Sequence, residues 1–257
     1  MTDFTLDAYR AYVLAIRDRF GDGVLFRDLV GRPLPALFAA IRHDVDRKLE
    51  RALAMALLEK ELGVVATYYF RVPHTFDRAV IREIAAMGHE IGYHYENLSE
   101  SDGDVTKALE DFARKLEQLR RVADICTISM HGRPLMPYDN RDLWRDPDRH
   151  AMLKERFDLL GEVYLDVDYS DIAYINDTGR NWSSGRSNRR DRVDSAVQAD
   201  FASGDELLSY LQGSPHPKLV FQVHPERWSN GTIEYATQWA KDVGINTAKA
   251  VLQFLRP

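Results

Sequence analysis

The chain of 257 residues has one cysteine, Cys126, so it can form no intrachain disulfide and no thiolate-rich metal site. That thiol sits in the apolar stretch ICTISM, where a packing role is expected. No apolar run approaches the roughly 18 residues that span a bilayer, so membrane insertion is not expected. Excess charge of one sign is also lacking. The formal net charge is −6, from 34 basic and 40 acidic residues, which argues against a nucleic-acid ligand. The N-terminal stretch MTDFTLDAYRAYVLAIRDRF has no basic start followed by an unbroken apolar core. It does not read as a signal peptide, and the expectation is a cytoplasmic protein. Neither an internal repeat nor a low-complexity tract is present.

What is there is a repeating strand-then-helix rhythm. LFAAIRH, VVATYYF, HEIGYHY and ICTISMH read as strands. RKLERALAMALLEKEL (with Gly63 as its C-terminal cap), FDRAVIREIAAM and DVTKALEDFARKLEQLRRV read as the helices between them. GEVYLDVDYSDIAYIND adds one or two strands, GDELLSYLQ a helix, KLVFQVH a strand and EYATQWAKDVGINTAKAVLQFL a last helix. The expected fold class is α/β, an irregular βα barrel with parallel strands in one domain over 1–257. Residues 1–35 are expected as a helical extension, and 132–200 as a loop-rich insertion that contributes to the site.

Reactive side chains gather where the strands end. IRHDVD supplies His43, Asp44 and Asp46; YHYE supplies His94, Tyr95 and Glu96; MHGR supplies His131 and Arg133. YLDVDY adds Asp166 and Asp168, YINDTGRNW adds Asp177, Arg180 and Trp182, and VHPERW adds His224 and Trp228. In a βα barrel these ends share one mouth. Carboxylates as close as Asp44 and Asp46 repel unless a cation or water lies between them. Oxygen and imidazole donors without thiolate suit zinc, iron, manganese, cobalt or nickel. Such an ion polarises a carbonyl, a carboxylate held off it can act as base, and a histidine opposite can act as acid. Each residue also has a plainer reading. The acid pair can cap the next helix beside Arg47 and Lys48, His94 can be a core residue, and Trp228 can simply cover the barrel end. His89 precedes its strand and reads as structural; His74, His150 and His216 read as surface residues.

These blocks resemble the polysaccharide deacetylase family, carbohydrate esterase family four, over most of the chain from IRHDVD to HPERW. The resemblance implies a distorted βα barrel that removes N- or O-acyl groups from sugars with one divalent ion, zinc ahead of iron, manganese, cobalt or nickel. It implies Asp44 as base, Asp46 and His94 as metal ligands, Arg133 orienting the base, and His224 as general acid. The family's second metal histidine falls at Leu98 here; His131 is the expected replacement, with Glu96 next. Tyr95, Glu96, Asp177, Arg180, Trp182 and Trp228 are then expected around the substrate. SMHG, YINDTGRNW and HPERW look like a branch met among surface-polysaccharide biosynthesis proteins. The expected substrate is an amino sugar or a nucleotide- or lipid-linked sugar intermediate inside the cell, with Arg186, Arg189, Arg190 and Arg192 meeting a diphosphate. Two other functions remain open: hydrolysis of a small formamide or ureide, and a non-catalytic sugar-binding role.

Overall fold

The computed structural model describes residues 2–133, 136–182, 192–213 and 215–230. The last helix expected over 234–255, and Arg186, Arg189 and Arg190, lie outside these residues. In chain order the elements are α1 (Leu6–Phe20), α2 (Phe26–Leu29), β1 (Phe38–Val45), α3 (Leu49–Leu62), β2 (Thr67–Phe70), α4 (Arg78–Ala86) and β3 (Glu90–Tyr95). They continue with α5 (Asn97–Glu100), α6 (Val105–Arg120), β4 (Thr127–Met130), α7 (Pro147–Phe157), β5 (Gly161–Glu162), β6 (Ala173–Asn176), α8 (Gly204–Gly213) and β7 (Lys218–Val223). Short 3₁₀ turns occupy Asn140–Leu143 and Pro225–Arg227.

The helices begin where acids can cap them. Asp77, Asp104 and Asp146 each accept from backbone N–H groups of the first turn of α4, α6 and α7. Gly63 ends α3 at φ 71°, the left-handed position that costs glycine least. All strand pairs are parallel, in the order β5-β4-β3-β2-β1-β7-β6. The sheet curls into an open βα barrel in one domain, as the alternation of strands and helices predicts.

Two apolar layers follow from the period-two alternation of β1. Ala39, Ile41 and Val45 face outward and pack with α1 and α3 in the larger core. Phe38 and Ala40 face inward, with Tyr69, Tyr174 and Val220. Strands β5 and β6 do not pair, and Phe26, Leu29 and Val30 join Val163, Val167, Tyr169 and Ile172 to fill the interior on that side. Gly92 is needed on β3, because a Cβ there would lie 2.2 Å from the Tyr69 ring, which crosses it to reach Thr127 at 2.9 Å.

The structure differs from the expected elements in three places. β1 continues past His43 through Val45, so Asp44 lies within a strand and not after it. The span expected as loop contains the 11-residue α7, which Asp146 caps and Pro147 starts at its first turn, where a missing N–H costs nothing. Residues 2–35 are built into the fold and do not merely extend it: Tyr9 and Tyr12 of α1 are fully buried, and α2 closes the interior.

Candidate metal centre

Alternation decides what the first strand offers. Arg42 and Asp44 point into the barrel, and Asp46 continues that row past the strand's end. His43 points the other way, into a buried cluster with Glu59 at 2.6 Å and the Tyr68 ring at 4.0 Å. His43, expected at the rim, is therefore a residue of the outer core.

Asp46 meets His94 from β3 and His131 from just beyond β4. Its Oδ1 is 3.5 Å from Nε2 of His94 and 3.4 Å from Nε2 of His131, and the three donor atoms lie within 4.8 Å of one another. Two donors at ordinary bond lengths on one tetrahedral zinc-sized ion are about 3.4 Å apart. Both imidazoles are turned so that Nε2 faces this point. Nδ1 of His94 donates to the Ser129 carbonyl at 3.0 Å, and Nδ1 of His131 is held by Glu96 at 2.9 Å. Such outer contacts fix the tautomer of metal-binding histidines.

Oδ1 of Asp46 is buried and makes no hydrogen bond. Asp44, Glu96 and Asp177 each have a guanidinium close by: Arg42 at 2.8 Å, Arg71 at 2.5 Å and Arg227 at 2.9 Å. Asp46 faces two imidazoles instead, and a divalent cation fits the place a guanidinium takes elsewhere. Burial drives the His131 imidazole toward its neutral form, but Asp46 and Glu96 outweigh it and raise its pKa to about 10. A ligand histidine must be neutral, so metal uptake at pH 7 is expected to release a proton, and affinity should rise with pH. Calorimetry in buffers of different ionisation enthalpy checks this; uptake without proton release would remove His131 from the ligand set.

A second group, His74, Glu96 and Glu100, also lies within 4.8 Å. There Arg71 and Lys115 already sit on the two carboxylates, at 2.5 Å each, and disfavour another cation. Leu98 is buried in the core and holds no place at the centre.

Asp44 is buried and carries a bidentate Arg42, Nε to Oδ1 and Nη2 to Oδ2, both 2.8 Å. Burial raises its pKa, but Arg42, His94 and His224 outweigh that and bring it to about 2. Arg133, expected to orient Asp44, instead lies 3.5 Å from Glu96 at the rim. Arg42 was legible as the residue two before Asp44 on one strand face, and the same spacing on β7 places Gln222 beside His224.

His224 is held by Asp177, which accepts from its backbone N–H at 2.9 Å and faces Nδ1 at 2.6 Å. Arg227 and Trp228 Nε1 also donate to Asp177, each at 2.9 Å. Burial and Arg227 favour neutral imidazole, yet Asp177 prevails and raises His224 to about 9. Glu226, not expected at the site, is pushed up to about 7 by burial and by Asp46.

Several expected substrate contacts are corrected. Tyr95 is fully buried against Phe112 and Trp144, because it alternates with His94 and faces the helices. Trp182 stacks on Phe4 and Phe221, and Arg180 lies over Phe4, all in the outer layer. Trp228 is fully buried and fixes Asp177. Asp177 and Glu96 orient His224 and His131, so neither is a free contact for substrate. Asp166 pairs with His150 and Lys154 at 2.9 Å, and Asp168 caps a turn at Ser170, so neither acid of YLDVDY reaches the centre; Tyr164 of that stretch does, accepting from Arg42 at 3.0 Å.

No family model matches the chain, and no curated protein matches it. Solved structures similar in fold include a CE4 family pseudoenzyme from Bacillus anthracis, at 14% identity, covering 86% of this chain and 65% of that one, with TM-score 0.45. Another is the catalytic domain of a peptidoglycan N-acetylglucosamine deacetylase from Eubacterium rectale, at 17% identity, 84% and 89% coverage, and TM-score 0.42. A third is a peptidoglycan deacetylase from Bacillus subtilis, at 12% identity, 85% and 96% coverage, and TM-score 0.39. At this distance none of their activities carries over. The expectation of a cytoplasmic protein is corrected: two of these structures are named for peptidoglycan, a cell-wall polymer, and no location is assigned. No helix among the described residues is long and apolar enough to cross a membrane.

Proposed function

We propose that this protein is a metal-dependent hydrolase of an acyl–nitrogen bond, and that its substrate is an N-acylated, in first place N-acetylated, amino sugar. The observation that carries the reading is the buried, unbonded Oδ1 of Asp46 facing two Nε2 atoms whose rings are locked from behind. Asp46, His94 and His131 would hold the ion, with zinc ahead of iron, manganese, cobalt and nickel, which share the donor preference. When bound, a divalent ion supplies the Lewis acidity that polarises the acyl carbonyl and eases deprotonation of water.

The chain's own residues supply the proton transfers. Asp44 stays ionised at neutral pH and takes the proton of the attacking water on Oδ1, where Nε of Arg42 fills only one of the two lone pairs. His224 keeps its proton to about 9 and gives it to the leaving nitrogen. Amine leaving groups need that proton, which favours amide chemistry here.

The deciding test is metal per chain by mass spectrometry on protein purified without added metal or a histidine tag. Near-stoichiometric metal is expected, and its loss in His94→Ala. Saturable glycan binding with no metal in either protein, even after reconstitution, would sink the proposal in favour of a binding role. Acetate release from acylated amino sugars, set against small formamides and ureides, then separates the two substrate classes.

Asp177→Asn is expected to return His224 toward the ordinary histidine range and move the alkaline limb of kcat down by about 1–3 pH units from about 9. The same pair bears on stability. Folded His224 titrates near 9 against about 6.5 when unfolded, so its contribution is full below about 6.5 and gone above about 9. A pH–rate profile unchanged in Asp177→Asn would take the acid role from His224.

A further inference from the structure

Asp44 and Asp46 both reach toward His94: Oδ2 of Asp44 is 3.7 Å from its Nε2 and Oδ1 of Asp46 is 3.5 Å away. Carboxylate chemistry alone does not say which of them should ligate an ion. Their hydrogen bonds do. Oδ1 of Asp46 accepts nothing, whereas Oδ2 of Asp44 accepts from Nη2 of Arg42 at 2.8 Å and from Nε2 of Gln222 at 2.7 Å. A carboxylate oxygen has two in-plane lone pairs, so both on Oδ2, the oxygen beside His94, are taken, while Oδ1 accepts from Nε of Arg42 alone and keeps one for a proton.

We infer that Gln222, itself fixed by Tyr174, is a positioning residue that keeps Asp44 off the ion and so leaves it as the proton acceptor; this rests on the metal-dependent reading of the site. The bond from Arg42 already uses one lone pair and fixes the plane of the carboxylate. Gln222 takes the other on the same oxygen, which is the one 3.7 Å from Nε2 of His94. Its own orientation is not free. A carboxylate paired with a guanidinium only accepts, so the amide must turn NH₂ toward Asp44 and its Oε1 the other way. That Oε1 receives the hydroxyl of Tyr174. Gln222 is fully buried, and Tyr174 is buried with its ring against Tyr169 at 5.6 Å. Without the Tyr174 hydroxyl, a flipped amide would set Oε1 against Asp44 and push the carboxylate toward the ion.

The chain runs from β6 through β7 to β1. Tyr174 pairs with Val220, and Gln222 with Arg42, in the strand register. Parallel neighbours thus place donor, relay and acceptor on the inner face at successive heights, with no loop involved.

The test compares Gln222→Met and Tyr174→Phe with the wild-type chain, each loaded with cobalt(II). Tyr174→Phe keeps the ring and remains informative where Gln222→Met fails to fold. Three quantities are read: cobalt affinity by chelator competition, the visible absorption of cobalt, which weakens as coordination number rises, and kcat for 4-nitrophenyl acetate. The expected result is a fall in kcat of about 10–100-fold with affinity unchanged or tighter and absorption weakened as Asp44 joins the ion. Unchanged kcat, or affinity and kcat falling together with the absorption shape retained, would overturn the role of Gln222. A wild-type chain that takes up no cobalt would instead overturn the metal-dependent reading itself.

Discussion

Asp44→Asn is expected to lower turnover by about 10²–10⁴-fold, the usual worth of one general base, while metal stays bound. The carboxylate lies outside the Asp46, His94 and His131 triad, and its hydrogen bonds to Arg42 and Gln222 hold it there. Asparagine keeps the size but brings an NH₂ group to a place surrounded by donors. One N–H must face either Arg42 or Gln222, so stability will fall as well, and turnover has to be expressed per folded molecule. Metal content and single-turnover hydrolysis, measured on the same preparation, check this. If metal and activity vanish together, Asp44 is a ligand and the division of roles between the two acids is wrong.

Arg42→Met is expected to destabilise the fold by about 3–5 kcal/mol, because it leaves the Asp44 charge buried without its partner. Ser129 and Tyr164 lose a donor at the same time. Arg133→Ala should cost clearly less, since Arg133 is 39% exposed and its ion pair with Glu96, at 3.5 Å, is screened by solvent. Urea unfolding at pH 7 compares them. The reverse ranking would return the orienting role to Arg133. Replacing Asp44 by Leu in the Arg42→Met background should recover much of the loss, because no buried charge is then left unpaired. In the wild-type chain the depressed pKa of Asp44 sets an acid window. Its stabilisation is complete above the unfolded value of about 3.9 and lost as pH falls through about 2.

The elements were largely legible because periodicity is local. Apolar residues three and four apart along α6, and the β-branched and aromatic run that ends in β2, state their structure without reference to the rest of the chain. The acids Asp77, Asp104 and Asp146 sit where helices must find acceptors for their first N–H groups. Asp146 and Pro147 carry the same kind of signal for α7, whose length was hidden by a stretch otherwise rich in loop residues.

The candidate site was legible only in part. HDVD, GYHY, MHGR and VHPERW name the side chains that arrive at the mouth, and the parallel topology their alternation implies brings the strand ends together. Which of those side chains face inward follows from a period of two, and that moves Tyr95 and His43 away from the centre and adds Arg42 and Gln222. What no local pattern carries is the pairing. Asp44 with Arg42 and Gln222, Asp46 with His94 and His131, and Asp177 with His224 join residues up to 178 positions apart. In a sequence, every carboxylate has the same chemistry. Burial and the identity of the donor across the barrel decide which is neutralised by a guanidinium, which steers an imidazole and which faces a cation, and those are set only when the sheet curls.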